Sequence, residues 1–406
     1  MKKLFKQSLL PLFLWQCIMM SAQVGQDTNL QVQSTLDIQM AQLPTATTND
    51  WKPGKSRFLL RGYAHAGLEM TEDETSFVWG QLAPLLIFRQ SDRLLFEAEL
   101  EVELEGEDVH LGLEYGNLSY LISSVLTFRA GKILVPFGTF VPNLHPAWIN
   151  KFPTMPLGAG HDGILPGADI GVELRGAAFL GSVKTNYSFY ALNGPQLNDG
   201  NLEAAEGGVL HYDITPDNNK NKVIGGRIGF FPMSNSALEV GFSGMYGKVG
   251  DQDSRYEDVS AFLYAVDMSY VRNLPGISSV LDIKAQYTGA NVEEAEFPEP
   301  DEPGEFHSFT NNSQAWFVQA SIRPAFVENA FMQNLELAGR YSSLKTPEGA
   351  PWEVDQKQWD IGLNYWLDWR TVFKFAYRKI SGTAGEHGGE ETGLGDAFFI
   401  HWAIGF

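Results

Sequence analysis

The 406-residue sequence holds one cysteine, Cys17, which excludes a disulfide framework and a thiolate metal site. It has no run of about 18 apolar residues after the first 22 positions, which excludes a helical membrane span. Basic residues are scarce: 29 Lys and Arg stand against 49 Asp and Glu, a formal charge of −20. Nucleic acid is excluded as a partner, because phosphate binding needs clustered Lys and Arg. Wholesale disorder is excluded too, since 44% of the residues are hydrophobic and 13% aromatic.

What the chain does have begins at Lys2, Lys3 and Lys6, which precede a mostly apolar stretch from Leu9 to Met20 and the small residues Ser21 and Ala22. That is the layout of an export signal, expected to be cleaved after Ala22, so that residues 1–22 leave the mature chain. A lipid anchor at Cys17 is the competing reading, disfavoured because Gln16 stands where a small residue is wanted. Without those three lysines, 26 basic residues face 49 acidic ones, a charge of −23. Residues 23–56 are polar, rich in Gln, Thr and Asn, and without a sustained period. They read as a periplasmic leader to which no structure is assigned.

From Arg57 onward the dominant period is two. In QWDIGLNYWLD, Trp359, Ile361, Leu363, Tyr365 and Leu367 share one face, and in ALEVGFSGMYG, Leu238, Val240, Phe242, Gly244 and Tyr246 do. Such runs number about sixteen between residues 57 and 406, most of them the ~9 to 11 residues that a tilted spanning strand requires. Tight turns follow the even-numbered runs, except for the longer stretch 324–333, and nearly all long connections follow odd-numbered ones. The mean hydropathy of −0.16 suits strands that alternate between lipid and water. The expected fold is therefore an all-β, transmembrane, antiparallel barrel over residues 57–406, in an outer membrane. The final run DAFFIHWAIGF presents Phe398, Ile400, Trp402, Ile404 and Phe406 to lipid and must pair with the first strand. An unsealed edge would strand backbone donors and acceptors in hydrocarbon, at several kcal/mol each. An acidic secreted β-sandwich is the competing architecture.

The face opposite the apolar one should line a lumen. Its charges number ten basic and twelve acidic residues, and the expected pore-lining set is Arg61, Glu97, Glu99, Glu101, Glu103, Arg129, Arg175, Arg227, Lys284, Arg340 and Lys374. In FEAELEVELE the four glutamates stand on one face about 7 Å apart. They form either an acidic wall that attracts cations or a ladder paired with lumen arginines. A sixteen-stranded barrel leaves an aqueous interior. The longest connection, residues 134–167, carries Phe137, Phe140, Trp148, Phe152 and six prolines. So many aromatics suit a segment folded inward on the wall, with His145, Lys151, His161 and Asp162 at a constriction. Each of these could equally satisfy buried backbone groups.

Other motifs carry less. GAGHDG matches G-x-G-x-x-G at Gly158, Gly160 and Gly163, without the strand and helix a dinucleotide site needs. His161 and Asp162 suggest a hydrolase triad, but no serine lies in a nucleophile context, so no enzyme activity is expected. The acidic stretches 251–258 and 293–305 lack calcium-loop spacing and read as solvated loops. No cofactor and no metal is expected.

The stretches FEAELEVELE, SVLTFRAGKILVPFG and NLHPAWINKFP resemble the phosphate-selective porin O and P family, RAGKILVPFG and HPAWINK most specifically. The resemblance covers about residues 57–406 and implies a sixteen-stranded, homotrimeric porin of a Gram-negative outer membrane. Phosphate selectivity in that family rests on ladders of arginine and lysine, whereas this lumen row is mixed and its third strand presents glutamates. The expected function is a water-filled channel for passive diffusion of small hydrophilic solutes or ions. The alternative is a loop-plugged barrel serving adhesion or assembly.

Overall fold

Alternation at every second residue becomes pleated strand almost without exception. The computed structural model describes residues 57–105, 108–160, 163–212, 216–302, 304–383, 386–387, 390–391 and 394–406. Its wall comprises β1 (Arg57–Met70), β2 (Thr75–Arg89), β3 (Leu94–Glu105), β4 (Asp108–Ser123), β5 (Leu126–Leu134), β6 (Ala168–Leu180), β7 (Val183–Leu192) and β8 (Val223–Phe231). It continues through β9 (Leu238–Lys248), β10 (Ser260–Leu274), β11 (Ser279–Val292), β12 (Asn312–Arg323), β13 (Leu335–Lys345), β14 (Asp355–Trp366), β15 (Thr371–Gly382) and β16 (Gly395–Gly405). Each strand pairs antiparallel with the next, and β16 returns to β1, so the sheet closes with sixteen strands.

Closure is sealed by backbone alone at its end. The Gly62 amide donates to Phe406 O at 3.1 Å and the Phe406 amide to Gly62 O at 2.9 Å. From Tyr63 opposite Gly405 to Met70 opposite Phe398 the two strands stay in register. This satisfies the groups that an open edge would leave unpaired in lipid. Among the described residues the α-helices are the short α1 (Phe140–Leu144) and α2 (Ala330–Gln333), and none is long and apolar enough to cross a membrane.

The two faces separate as period two requires. On β14, Trp359, Ile361 and Leu363 are exposed while Gln358, Asp360 and Asn364 are buried. On β16, Phe398 and Ile400 are exposed outward while Ala397, Phe399 and His401 are buried inward. An outer surface so apolar is a lipid surface, because soluble chains do not expose contiguous patches of this kind. Short connections collect at one end of the barrel; the long ones, at 135–167, 193–222, 249–259 and 293–311, collect at the other. At the short-turn end, 324–334 is lengthened by α2, whose N-cap Asn329 side chain accepts from the Phe331 and Met332 amides.

Most carboxylates of 251–258 and 293–305 are exposed, as expected of solvated loops, but one aromatic in each, Tyr256 and Phe297, is buried. The long connections carry two-residue and three-residue ladders, 196–197 with 210–211 and 296–298 with 306–308. Tyr256 stacks on Phe297 at 5.4 Å, Phe309 packs on both Phe297 and Trp352, and Trp352 Nε1 donates to Gly207 O. These aromatics join Ile133, Leu192, Val223 and Leu263 of the wall in one buried cluster. The acidic residues between them stay outside; the aromatics, interspersed every few positions, bury together.

Candidate pore and constriction segment

Residues 135–167 fold into the barrel. Phe140 and Leu144 of α1 pack with Ile164 and Leu165 against Ala315, Phe317 and Leu344; Phe152 packs against Ala338, Ala376 and Phe399; Ala147 and Trp148 pack against Trp366, Val372 and Ala403. Three of the four aromatics expected to bury, Phe137, Phe140 and Phe152, are fully enclosed. The segment thus covers the inner face of β12 to β16.

A segment whose only regular element is the five-residue α1 must find partners for most of its backbone groups elsewhere, and the wall supplies several. Gln286 Oε1 accepts from the Thr139 and Phe140 amides, Ser243 Oγ from the Gly138 amide and Ser342 Oγ from the Leu157 amide. Asn364 and Gln358 donate to the carbonyls of Lys151 and Met155. Lys374 Nζ donates to Ala147 O and Asn150 O, at 2.5 and 2.6 Å. Arg340 donates to Thr154 O and Oγ1, pairs with Asp360 at 3.0 Å, and lies over the Phe152 ring. Lys374 and Arg340, expected to line the pore, are 2% and 1% exposed. They are covered rather than wetted, because the segment lies on top of them.

The constriction residues divide. His145 Nδ1 meets Val141 O, and its Nε2 stands 3.8 Å from Glu99 Oε1, which also accepts from Tyr63 Oη at 2.9 Å. Burial opposes the charged imidazole, but Glu99 with Glu114 and Val141 O outweighs it, so the pKa of His145 is raised. Lys151 pairs with Glu336 at 2.7 Å over the Trp366 ring, and Glu336 and Asp282 hold its pKa up against burial. His161 and Asp162 lie outside the described residues.

On the uncovered side of the barrel the glutamate row is neither wholly paired nor wholly free. Glu97 is half-buried, with Arg129 and Arg175 nearby, although Arg129 itself pairs with Glu173. Glu99 serves Tyr63 and the segment. Glu101 has Glu114, Glu103 and Glu99 among its charged neighbours, and Glu103 is exposed. Arg227 joins Glu239 and Asp267, and Lys284 meets Asp282. Arg61 lies half-buried on the inward parity of β1 with Tyr63 and His65. Two inward histidines escaped the sequence reading. His65 and His401 stack across the β1/β16 seam with centroids 6.2 Å apart. In the closing register His65 lies opposite Ala403 and His401 opposite Gly67, so the two rings meet on the diagonal.

Sixteen antiparallel strands closed on themselves, with one long segment folded onto the inner wall, is an architecture known among solved proteins. The fold is that of outer-membrane porins. An anion-selective porin from Comamonas acidovorans superposes with a TM-score of 0.54 at 11% identity, over 87% of this chain and 100% of that one. The outer membrane channel DcaP of Acinetobacter baumannii gives 0.55 at 12%, over 87% and 99%. OmpT, an outer membrane protein of Vibrio cholerae in a trimer form, gives 0.51 at 14%, over 86% and 99%. At such identities the likeness is one of architecture. No protein-family model and no curated protein sequence matches the chain.

Proposed function

We propose that the barrel is a diffusion channel of the outer membrane for small hydrophilic solutes, with an entrance that favours cations. One asymmetry carries this reading. The inner face of β12 to β16 is covered, whereas inward charges of β3 to β6, among them Glu97, Glu101, Arg129 and Arg175, keep partial exposure. A passage along β1 to β6 passes Glu101, Glu103 and Glu114 at the end with the long connections, where Glu72, Asp73 and Glu74 join them. Carboxylates gathered at a rim raise the local concentration of cations within about 8 Å at physiological salt. Membership of the phosphate-selective porin family is part of the proposal; phosphate as the principal solute is not, because Arg129, Arg227 and Arg340 are engaged by carboxylates of neighbouring strands. Residues 1–22 serve as export signal and 23–56 as leader in this reading.

A homotrimer accords with the outer face of β1 to β5. There Ala64, Ala66, Ala98, Gly116 and Ala130 are small, and Lys132, on the same outward parity, donates to Leu113 O at 2.9 Å. An ammonium facing acyl chains is costly, so a protein partner at this face is the cheaper arrangement. Planar-bilayer conductance with reversal potentials in a salt gradient tests the channel. Ion flow with cation preference is expected, and absence of conductance would overturn it. The buried aromatic cluster over β7 to β11 favours the second reading, a barrel closed by its external connections; liposomes loaded with sugar would then fail to swell.

A further inference from the structure

Two inward arginines of the uncovered wall hold nothing of the protein's own. Arg61 on β1 and Arg175 on β6 are half-buried, and among the described residues neither forms a hydrogen bond or an ion pair. Arg129 and Arg227, by contrast, are committed to carboxylates, and Arg340 to Asp360 and Thr154. Among the described residues the arginine nitrogens buried without a partner belong to Arg340 and Arg378, on β13 and β15 of the covered side. The guanidinium nitrogens of Arg61 and Arg175 therefore reach water. A wetted cation with no carbonyl or carboxylate to hold is free to meet a solute.

The wall around Arg175 offers donors and open space. Its charged neighbours are Arg129, Glu173 and Glu97. Toward the exterior on the same face, past Arg129 and Glu173, Gly131 and Gly171 stand opposite each other and contribute no side chain. Beside Gly131 lies Asn117, 1% exposed, whose amide nitrogen has no hydrogen-bond partner. A guanidinium fork next to bare backbone suits a carboxylate, which it can hold by two parallel N–H···O bonds.

The order of charges decides what reaches these arginines. Glu101 and Glu103 stand near Glu105, the external end of β3, with Glu114 beside them; Arg61 lies toward the Arg57 end of β1, and Arg175 toward the Leu180 end of β6. A solute arriving from outside meets carboxylates first and guanidiniums deeper. Glu97, which Arg175 neighbours, is about 13 Å along the strand from Glu101, more than the ~8 Å over which salt screens a charge, so the two regions act on different groups of one molecule. A plain anion is repelled at the rim, and a plain cation gains nothing from the arginines. We infer that the passage selects small zwitterions, solutes that carry an ammonium and a carboxylate. The ammonium is drawn to Glu101 and Glu103, and the carboxylate moves ahead onto Arg175 and Arg61. The inference rests on the channel reading and names a solute class for it. Phosphate fits less well, because its second negative charge doubles the repulsion at the rim.

The test compares three solutes of nearly one size in efflux from proteoliposomes holding the refolded protein: diglycine, a zwitterion; N-acetylglycine, an anion; and N-acetylglycinamide, uncharged. Diglycine should leave about fivefold faster than N-acetylglycinamide, the scale of one solvated guanidinium–carboxylate pair, and N-acetylglycine more slowly than either. In Arg61→Gln/Arg175→Gln diglycine should fall to the rate of the uncharged solute. In Glu101→Gln/Glu103→Gln N-acetylglycine should overtake it. If heat-modifiable gel mobility shows that the double arginine variant does not fold, Arg175→Gln and Arg175→Lys decide together: the first should lose the preference and the second, which keeps the charge, should retain most of it. Diglycine no faster than N-acetylglycinamide in the parent, or equally favoured once the arginines are gone, overturns the inference while leaving the channel standing. Retention of all three solutes overturns the channel reading itself, and the inference with it.

Discussion

Arg340 offers the sharpest test of how the inserted segment is held. Its side chain is wholly enclosed, with Asp360 at 3.0 Å, two Thr154 oxygens at 2.7 and 2.9 Å, and the Phe152 ring at 4.8 Å. Replacing one partner of a buried ion pair costs about 3–5 kcal/mol, because the other charge is left uncompensated. Here Asp360 keeps Thr154 Oγ1 and Gln358 Nε2 as donors, which places Arg340→Met near ~3 kcal/mol, the low end of that range. The loss falls on the docking of residues 150–157, since the strand ladder of β13 and β14 does not depend on the side chain. At 1.4 kcal/mol per tenfold, the undocked fraction should rise roughly a hundredfold. Hydrogen exchange of the Phe152 and Leu157 amides in refolded protein reads it directly. Arg340→Met/Asp360→Leu should recover most of the protection, because removing both buried ions is close to neutral. Protection unchanged in the single variant, or equally lost in the double one, would refute the account.

Glu101→Gln/Glu103→Gln should lower the cation-to-anion permeability ratio two- to fivefold, the equivalent of about 0.5–1 kcal/mol of lost rim field; an unchanged reversal potential would remove these residues from the passage. His145, whose pKa is raised, contributes anchoring that is complete below the ordinary imidazole value and is lost as pH rises through the raised one. Exchange at the Leu144 and Ile149 amides should therefore quicken in alkali beyond its intrinsic rate, and His145→Gln should flatten that excess. Phe297→Ala, which empties a fully buried site between Tyr256 and Phe309, should cost about 3–5 kcal/mol of order in the external cluster, seen as faster proteolysis at 293–305 with the barrel intact.

The wall was readable because its rule is local. Whether a residue such as Ile361 faces lipid or Asp360 the interior depends on parity within one strand, and parity survives without knowledge of any partner. Inward folding of 134–167 was readable for a related reason: Phe137, Phe140 and Phe152 have nowhere to go but a wall. What parity cannot supply is the partner across the lumen. Glu99 finds His145, 46 positions later, and Lys374 finds carbonyls more than 220 positions earlier, by chords through the barrel that depend on where the segment crosses. The external stretches 251–258 and 293–305 read as solvated loops because acidic residues dominate their composition; what composition hides is that Tyr256 and Phe297 anchor them. Counting back from Phe406 opposite Gly62 would have placed His65 and His401 as diagonal neighbours, two positions out of register, had the seam's register been known.

These chords change what an inward charge means. Counted along the strands, basic and acidic side chains nearly balance, which suggests an indifferent pore. Yet the cations are spent unevenly. Lys374 and Arg340 hold the backbone of the inserted segment, Lys151 neutralises Glu336, Arg129 is taken by Glu173, and Arg227 by Glu239 and Asp267. On β3, Glu99 holds Tyr63 and faces His145, Glu97 has Arg129 and Arg175 nearby, and Glu101 has Glu114, Glu103 and Glu99 among its charged neighbours. A solute meets the charges that remain after the protein has satisfied its own buried groups, and those are more acidic than the tally. Wall cations thus act chiefly as structural ligands for carbonyls and carboxylates, and the field of the passage is set by the acids that the inserted segment leaves uncovered.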